Sequence, residues 1–354
     1  MLYREVGQYK TSYRADEAIF PIVQDRWFVI ALILFAFLVV PLFAGQYLYT
    51  EVLIPVLILS IAAIGLNILT GYCGQLSLGS GGFMAVGAYA AYNLALRVPE
   101  TNIILVFLFG GVMAMLVGLL FGLPSLRIKG FYLAVATLAA QFFLEWVFAR
   151  VKWFTNYAPS GSVAVGRIDL FGIPIDTPRS TYIFVLASAI MLALAAKNLV
   201  RSRIGRMWMA MRDMDIAAEI IGIRPLHAKL SAFAVSSFYI GVAGALWAFL
   251  RLGSWEPLAF DVNRSFQVLF MIIIGGLGTI LGSFLGAAFI VVIPIFFNQL
   301  PLWLGIPIST AAISHMEFML FGATIIFFLI AEPHGLARLW TIGKEKLRLW
   351  PFPY

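Results

Sequence analysis

Charge is scarce in this 354-residue chain: 12% of its residues are Asp, Glu, Lys or Arg, against about 25% in a soluble domain. That deficit excludes an ordinary water-soluble fold. With 62% hydrophobic residues and a mean hydropathy of +0.95, most of the chain must find a solvent other than water. Cysteine is almost missing. Cys73 stands alone, which leaves no internal disulfide and no cysteine-cluster metal site. The three histidines are scattered and neither an H-E-x-x-H pair nor a G-x-S-x-G elbow occurs, so the usual sequence signs of metal-assisted or serine hydrolysis are lacking. A phosphate loop of the form G-x-x-x-x-G-K-[ST] is also lacking, since the nearest Gly-Lys pair, Gly343-Lys344, is followed by Glu345. The chain reads as no enzyme by itself, with no metal and no cofactor of its own.

Ionisable residues deep inside apolar runs are few as well. Glu145 sits near the end of its run, and His315 and Glu317 at the start of theirs, positions expected at a membrane interface rather than in an ion relay. Energy for any transport then has to come from outside the chain.

What is present in abundance is long apolar runs. Candidate spans fall near 27-45, 51-70, 80-97, 103-123, 131-149, 181-198, 229-250, 265-281, 283-300 and 316-332. About 20 helical residues cross the roughly 30 Å hydrocarbon layer, and most of the runs approach that length. Ten-residue alternation of apolar and polar residues is missing, which argues against a barrel. The expectation is an all-α, polytopic transmembrane bundle of about 8-10 spans. The Gly-rich third span and the eighth and ninth are the ones expected to be broken or re-entrant.

Lys and Arg set the orientation, because positive loops stay cytoplasmic. With the amino terminus inside, 17 of the 24 basic residues fall on the cytoplasmic side: Arg4, Lys10, Arg14, Arg26, Arg127, Lys129, Lys197, Arg201, Arg203, Arg206, Arg212, Arg224, Lys229, Arg338, Lys344, Lys346 and Arg348. A multi-pass protein of a bacterial inner membrane with both termini cytoplasmic is expected. The net charge of +7 is accounted for by these membrane-proximal residues, so no nucleic-acid partner is implied. The first 26 residues are polar and charged and precede a run long enough to stay in the membrane, unlike a cleavable signal peptide. The domain plan is a cytoplasmic segment 1-26, a permease domain 27-332 and a cytoplasmic tail 333-354.

Two polar interruptions stand out. Residues 150-180, placed outside, carry Pro159, Gly161, Gly166, Gly172, Pro174 and Pro178 and read as a loop. Residues 199-228, placed inside, contain a short amphipathic helix over Ile216-Ala217-Ala218-Glu219-Ile220 that Asp213 or Asp215 could cap and that Gly222 and Pro225 would end. Bracketed by basic residues, it looks like a docking element. A short echo links Leu78-Gly79-Ser80-Gly81-Gly82 with Leu281-Gly282-Ser283, a match that chance also produces.

Glycines divide into two groups. Gly71, Gly74, Gly79, Gly81, Gly82 and Gly87 crowd one segment with Gln75, Ser77 and Ser80, which either lines a solute path (Gly74, Gln75, Ser77, Gly79 and Ser80) or packs helices tightly. Gly278, Gly282 and Gly286 have the four-residue spacing of a helix-packing face, and Gly118 and Gly122 repeat it.

The stretch Gly71-Tyr72-Cys73-Gly74-Gln75-Leu76-Ser77-Leu78-Gly79, with Phe83 and Gly87-Ala88-Tyr89 after it, resembles the second-to-third span region of LivM-type permeases. The cytoplasmic Ser202-Arg203-Ile204-Gly205-Arg206, Arg212-Asp213, Ile216 to Ile223, Lys229-Leu230 and Ala232-Phe233 resemble the same family's coupling loop, and Gly275-Gly276-Leu277-Gly278-Thr279-Ile280-Leu281-Gly282 also fits. These are membrane subunits of branched-chain amino acid ATP-binding-cassette importers, with urea and short-amide importers as relatives. The resemblance implies a second, related permease subunit, two cytoplasmic ATPases that use the ATP, an external solute-binding protein and a lipid environment. It also implies coupling to the ATPase through Arg206, Arg212, Asp213, Asp215, Ala217, Ala218, Glu219 and Gly222. Of the general coupling motif Glu-Ala-Ala-x-x-x-Gly, the chain supplies Ala217, Ala218 and Gly222, but Ile216 stands where the Glu would be. The alternative reading is a stand-alone secondary transporter or channel for a small solute.

Overall fold

The computed structural model describes residues 11-12, 23-123, 131-158, 160-166, 169-170, 173-304, 316, 319, 321-324, 326-328, 330, 332 and 334-349. Arg4, Lys10, Arg14, Arg127, Lys129, Pro159, Gly172, His315 and Glu317, and much of the expected span 316-332, lie outside them.

In hydrocarbon every backbone N-H and C=O must be satisfied internally, so apolar runs of this length become helices. Among the described residues eight helical segments are long and apolar enough to cross a membrane. The first is α1 (Val23–Leu34), extended by π-helical Phe35–Val39 and a turn at Val40–Phe43. Then come α2 (Ile54–Asn67), flanked by π-helical Leu48–Leu53 and Ile68–Tyr72, and α3 (Ser80–Arg97). After these follow α4 (Ile103–Gly122), α5 (Phe131–Arg150) and α6 (Pro178–Arg201). Two short helices, α7 (Arg203–Asp213) and α8 (Asp215–Ile220), precede α9 (Pro225–Leu246), which continues as π-helical Trp247–Leu252. The remainder is α10 (Val262–Gly275), α11 (Ile280–Leu304) and α12 (Gly335–Leu349).

Helix starts follow local chemistry. The side chains of Asn102, Thr177, Ser202 and Asp261 each accept a hydrogen bond from a first-turn N-H of α4, α6, α7 and α10, filling donors that a helix leaves open. At the centre, α9 packs on α2, α3 and α4. The approach depends on missing side chains: a Cβ on Gly87 would run into the Gly241 carbonyl, one on Gly244 into the Met84 backbone, and one on Gly118 into Ser237. Small residues thus let the α3, α4 and α9 backbones touch, as helices in lipid require.

α3 is too polar to be counted among the eight apolar segments, yet 12 of its residues are buried. It is an inner helix, shielded by α4, α5 and α9, and the chain breaks at 73-79 before it. A second break, at residues 276-279, separates α10 from α11, which itself runs unbroken. This corrects the expectation for the second glycine array: Gly278 belongs to no helix face. Its φ of +73°, beside φ +122° at Gly276, lies in a region that residues with a Cβ avoid, so the two glycines end α10 and turn the chain. Gly282 and Gly286 do pack, against Gly275 and Met271 of α10.

The 150-180 segment folds back onto the opposite end of the bundle. Val163–Ala164 pairs antiparallel with Ser254–Trp255, and the Asn93 side chain donates to the Phe154 carbonyl at 3.0 Å.

Candidate functional site

The expected docking element is built from α7 outward. Gly205 lies so close to the Val200 carbonyl that a Cβ would collide with it, which lets α7 turn back sharply from α6. Along α7 the face of Gly205, Trp208 and Met211 is buried, and the Trp208 indole N-H donates to Ser231 Oγ at 2.9 Å. One long anchor therefore fixes α7 to α9.

α8 then projects from an elbow at Met214. Met214, not an aspartate, is its N-cap, and it makes no side-chain cap hydrogen bond. Asp213 instead pairs with Arg212 at 2.8 Å, and Asp215 sits in the first turn, where a carboxylate favours the helix dipole. The far end closes as a Schellman motif: Ile223 N-H reaches the Ala218 carbonyl and Gly222 N-H the Glu219 carbonyl, both at 3.0 Å, with φ +92° at Gly222. Ala218 is buried against the body, whereas Ala217 and Glu219 are exposed. Ile216, Ile220 and Ile221 are 69%, 80% and 76% exposed. Two isoleucines held out on the six-residue helix and a third at its C-cap form an apolar knob. Beside it opens a cleft of about 680 Å³ lined by Arg203, Arg206, Arg224 and His227 together with Met207, Ala210 and residues 221-223.

The same loop reaches the broken helix. Arg212 donates through Nη1 to the Gly71 carbonyl at 3.0 Å, and Gly74, at φ +72°, lies against the Arg212 side chain. Two candidate regions set apart in the sequence, the Gly-rich stretch and the docking loop, are therefore in contact. One turn before Gly71, Asn67 holds the second break. Its Oδ1 accepts from Gly278 N-H at 2.8 Å, and its Nδ2 faces the Thr279 carbonyl at 2.8 Å and Ser283 Oγ at 3.0 Å.

A second buried junction lies near the middle of α5. Gln141 Nε2 donates to the Phe260 carbonyl at 2.8 Å, while its Oε1 accepts from Gly82 N-H and from Ser265 Oγ. Ser265 Oγ accepts in turn from Gly81 N-H at 2.8 Å. The amino-terminal ends of α3 and α10 thus meet at Gln141. Thr137, one turn earlier, accepts from Leu78 N-H at 2.9 Å.

Of the pathway candidates, Gln75, Ser77, Gly79 and Ser80 are buried and Gly74 is exposed. Gly79 abuts the Thr137 carbonyl. Gln75 Oε1 and Ser80 Oγ are buried with no hydrogen-bond partner among the described residues. Asn67 and Gln141 were not among the residues singled out from sequence. Each is the only carboxamide in its helix, and that oddity was the available signal.

Long lipid-length helices, two breaks stitched by buried amides, and an apolar knob at one end define a multi-pass membrane protein of the transport-permease class. The chain belongs to the family described as branched-chain amino acid transport system / permease component, whose model matches residues 48–329. It is 31% identical over 255 residues to the high-affinity branched-chain amino acid transport system permease protein LivM of Escherichia coli (strain K12), an alignment covering 66% of this chain and 59% of that one. The LivM protein of the same description from Salmonella typhimurium (strain LT2) gives the same identity and coverage. The chain thus spans about three-fifths of the length of these relatives. No solved structure matches it.

Proposed function

We propose that this chain is one of two related permease subunits of an ATP-binding-cassette importer in a bacterial inner membrane, carrying branched-chain amino acids or similar small polar solutes. Two cytoplasmic ATPases supply the energy from ATP, and an external binding protein delivers the solute. The observation that carries this reading is the α8 knob: Ile216, Ile220 and Ile221 are exposed on a helix that is itself locked by buried Ala218 and the Gly222 turn. An apolar patch of this kind marks a protein contact, and its rigid mounting lets a push on it move the bundle.

The route inward is Arg212 to Gly71, then Asn67 to the 276-283 turn. Movement of α7 and α8 would shift both breaks together and switch the buried groups of Gln75 and Ser80 between the two membrane faces. A two-state bundle biased by an external motor needs nothing more. The basic residues on the α7–α8 loop support a cytoplasmic position for this end.

The test is reconstitution of the complete transporter with Ile220→Asp and, separately, Arg212→Ala. Ile220→Asp is expected to detach the ATPase, seen as lost co-purification. Arg212→Ala is expected to keep the ATPase bound while uptake per ATP falls by about fivefold or more, the size of a typical coupling energy. Normal uptake by both variants removes the reading.

A further inference from the structure

We propose, taking the chain as a permease subunit, that Arg264 receives the carboxylate of the transported solute inside the membrane. The cargo is then a carboxylate-bearing solute such as an amino acid rather than a neutral urea or amide.

α10 has 14 residues and is therefore about 21 Å long, too short to cross the roughly 30 Å hydrocarbon layer. Its last residue, Gly275, leads into the turn that Asn67 holds, at the end of the bundle where Arg212 meets Gly71 and Gly278. Its first turn therefore lies well inside the bilayer. Gln141 gives the same depth: it falls near the middle of α5 and joins the Phe260 carbonyl to Gly82 N-H and Ser265 Oγ.

Arg264 stands in that first turn. A full charge at such depth is costly against lipid and marks a solute or ion path. The guanidinium carbon lies 4.6 Å from the centre of the Trp247 ring, and Nη1 donates to Gln267 Oε1 at 2.6 Å. Asp261 caps the helix instead of pairing with the guanidinium: its Oδ1 accepts from Arg264 N-H at 3.2 Å and its Oδ2 from Asn263 Nδ2 at 2.6 Å. Among the described residues Arg264 makes no ion pair, and its Nε and Nη2 donate no hydrogen bond. These two donors form one edge of a planar fork, the edge that takes a carboxylate through two parallel bonds. Asn263 beside it is exposed and Gln267 half-buried, while Ser265, Val268 and Leu269 face the body.

Two buried groups at the same place also lack partners. Trp247 is 7% exposed, and its Nε1 has no hydrogen-bond partner among the described residues. Ser80 is fully buried with its Oγ likewise unpartnered, and the next residue, Gly81, donates to Ser265 Oγ at 2.8 Å and lies against the Asp261 carbonyl. The amino-terminal ends of α3 and α10 thus meet beside Arg264, and the positive ends of half-helices hold anionic solute groups in transporters.

The test uses the complete transporter in membrane vesicles, with Cys73→Ser and Asn263→Cys leaving one thiol on this chain, next to Arg264. Its rates with sulfonatoethyl and trimethylammonioethyl methanethiosulfonate are read by mass spectrometry of the chain and scaled to those of a free thiol. The thiol should react from water, and Arg264→Gln should lower the anionic-to-cationic rate ratio about fivefold, the effect of one charge roughly 7 Å away in a water-filled path. Arg264→Lys should keep the ratio. Leucine, isoleucine and valine at millimolar concentration should slow the sulfonate reagent, and urea should not. Gln267→Cys, one turn on, serves as the reporter if Asn263→Cys does not assemble. A thiol unreactive from water, a ratio unchanged by Arg264→Gln, or equal effects of urea and of the amino acids would overturn the carboxylate site and leave the permease reading in place. Failure of the parent chain to co-purify with a second permease and an ATPase would remove that reading and the site with it.

Discussion

Asn67 closes an otherwise apolar helix with an amide whose two ends are both engaged by the 276-283 turn. Replacing it with leucine keeps the volume but strands the Gly278 N-H and leaves the Thr279 carbonyl only the longer contacts from Ser283, at 3.4 Å. A buried polar group left unpaired costs about 1–3 kcal/mol, so Asn67→Leu is expected to lower the thermal midpoint of the detergent-solubilised protein by several degrees. Asn67→Gln, which keeps the amide, should lose less. A variant as stable as the parent would show that the turn is held by other contacts. The sequence hinted at Asn67 only as an oddity, since its partners lie more than 200 positions away and no local pattern points to them. Gln141 was hidden in the same way: its carbonyl and amide serve α3 and α10, which only tertiary packing brings to α5. Gly278 shows the reverse error. Spacing alone assigned it to a helix face, whereas its positive φ makes it a turn residue.

Elements were more legible than residues. The short helix over 216-220 was readable from its apolar pattern and from Gly222, because helix-ending chemistry is local. Its N-cap was not, because the elbow at Met214 is set by how α7 packs through Trp208. The Gly222 turn gives a test at this scale: at φ +92° an alanine is strained by about 1–2 kcal/mol, and a proline cannot adopt the angle at all. Gly222→Ala is expected to leave insertion intact and weaken ATPase binding modestly, and Gly222→Pro to abolish it. Co-purification of the ATPase with each variant measures this, and equal binding by both would show that α8 docks without its closing turn. The α3–α9 contact provides a second test. Gly87 and Gly241 approach backbone to backbone, so Gly87→Leu has no room and should abolish folded protein in a membrane extract, whereas Gly343→Ala, at a site with open space around it, should be silent.

For the whole molecule, the scarcity of charge and the long apolar runs dictated a helical membrane bundle, because hydrocarbon leaves the backbone few other solutions. Which helix sits innermost was less evident, since α3 is too polar to count among the apolar segments and yet is buried: the neighbours, not lipid, solvate its Ser and Gly backbone. The same accounting bears on energy. Within the described residues no three His, Cys, Asp or Glu side chains gather as a metal site, and the buried polar groups along the breaks are mainly amides, hydroxyls and backbone, with Tyr72 and Cys73 the titrating side chains beside the first. If partner ATPases supply the power, as proposed, the described junctions need only groups that open and close around a polar solute. Reconstituted alone in vesicles, the chain is therefore expected to give no uphill accumulation of leucine under an imposed proton or sodium gradient, while the complete transporter accumulates it when ATP is supplied. Gradient-driven accumulation by the chain alone would assign the power source to this polypeptide and reduce α8 to an incidental surface helix.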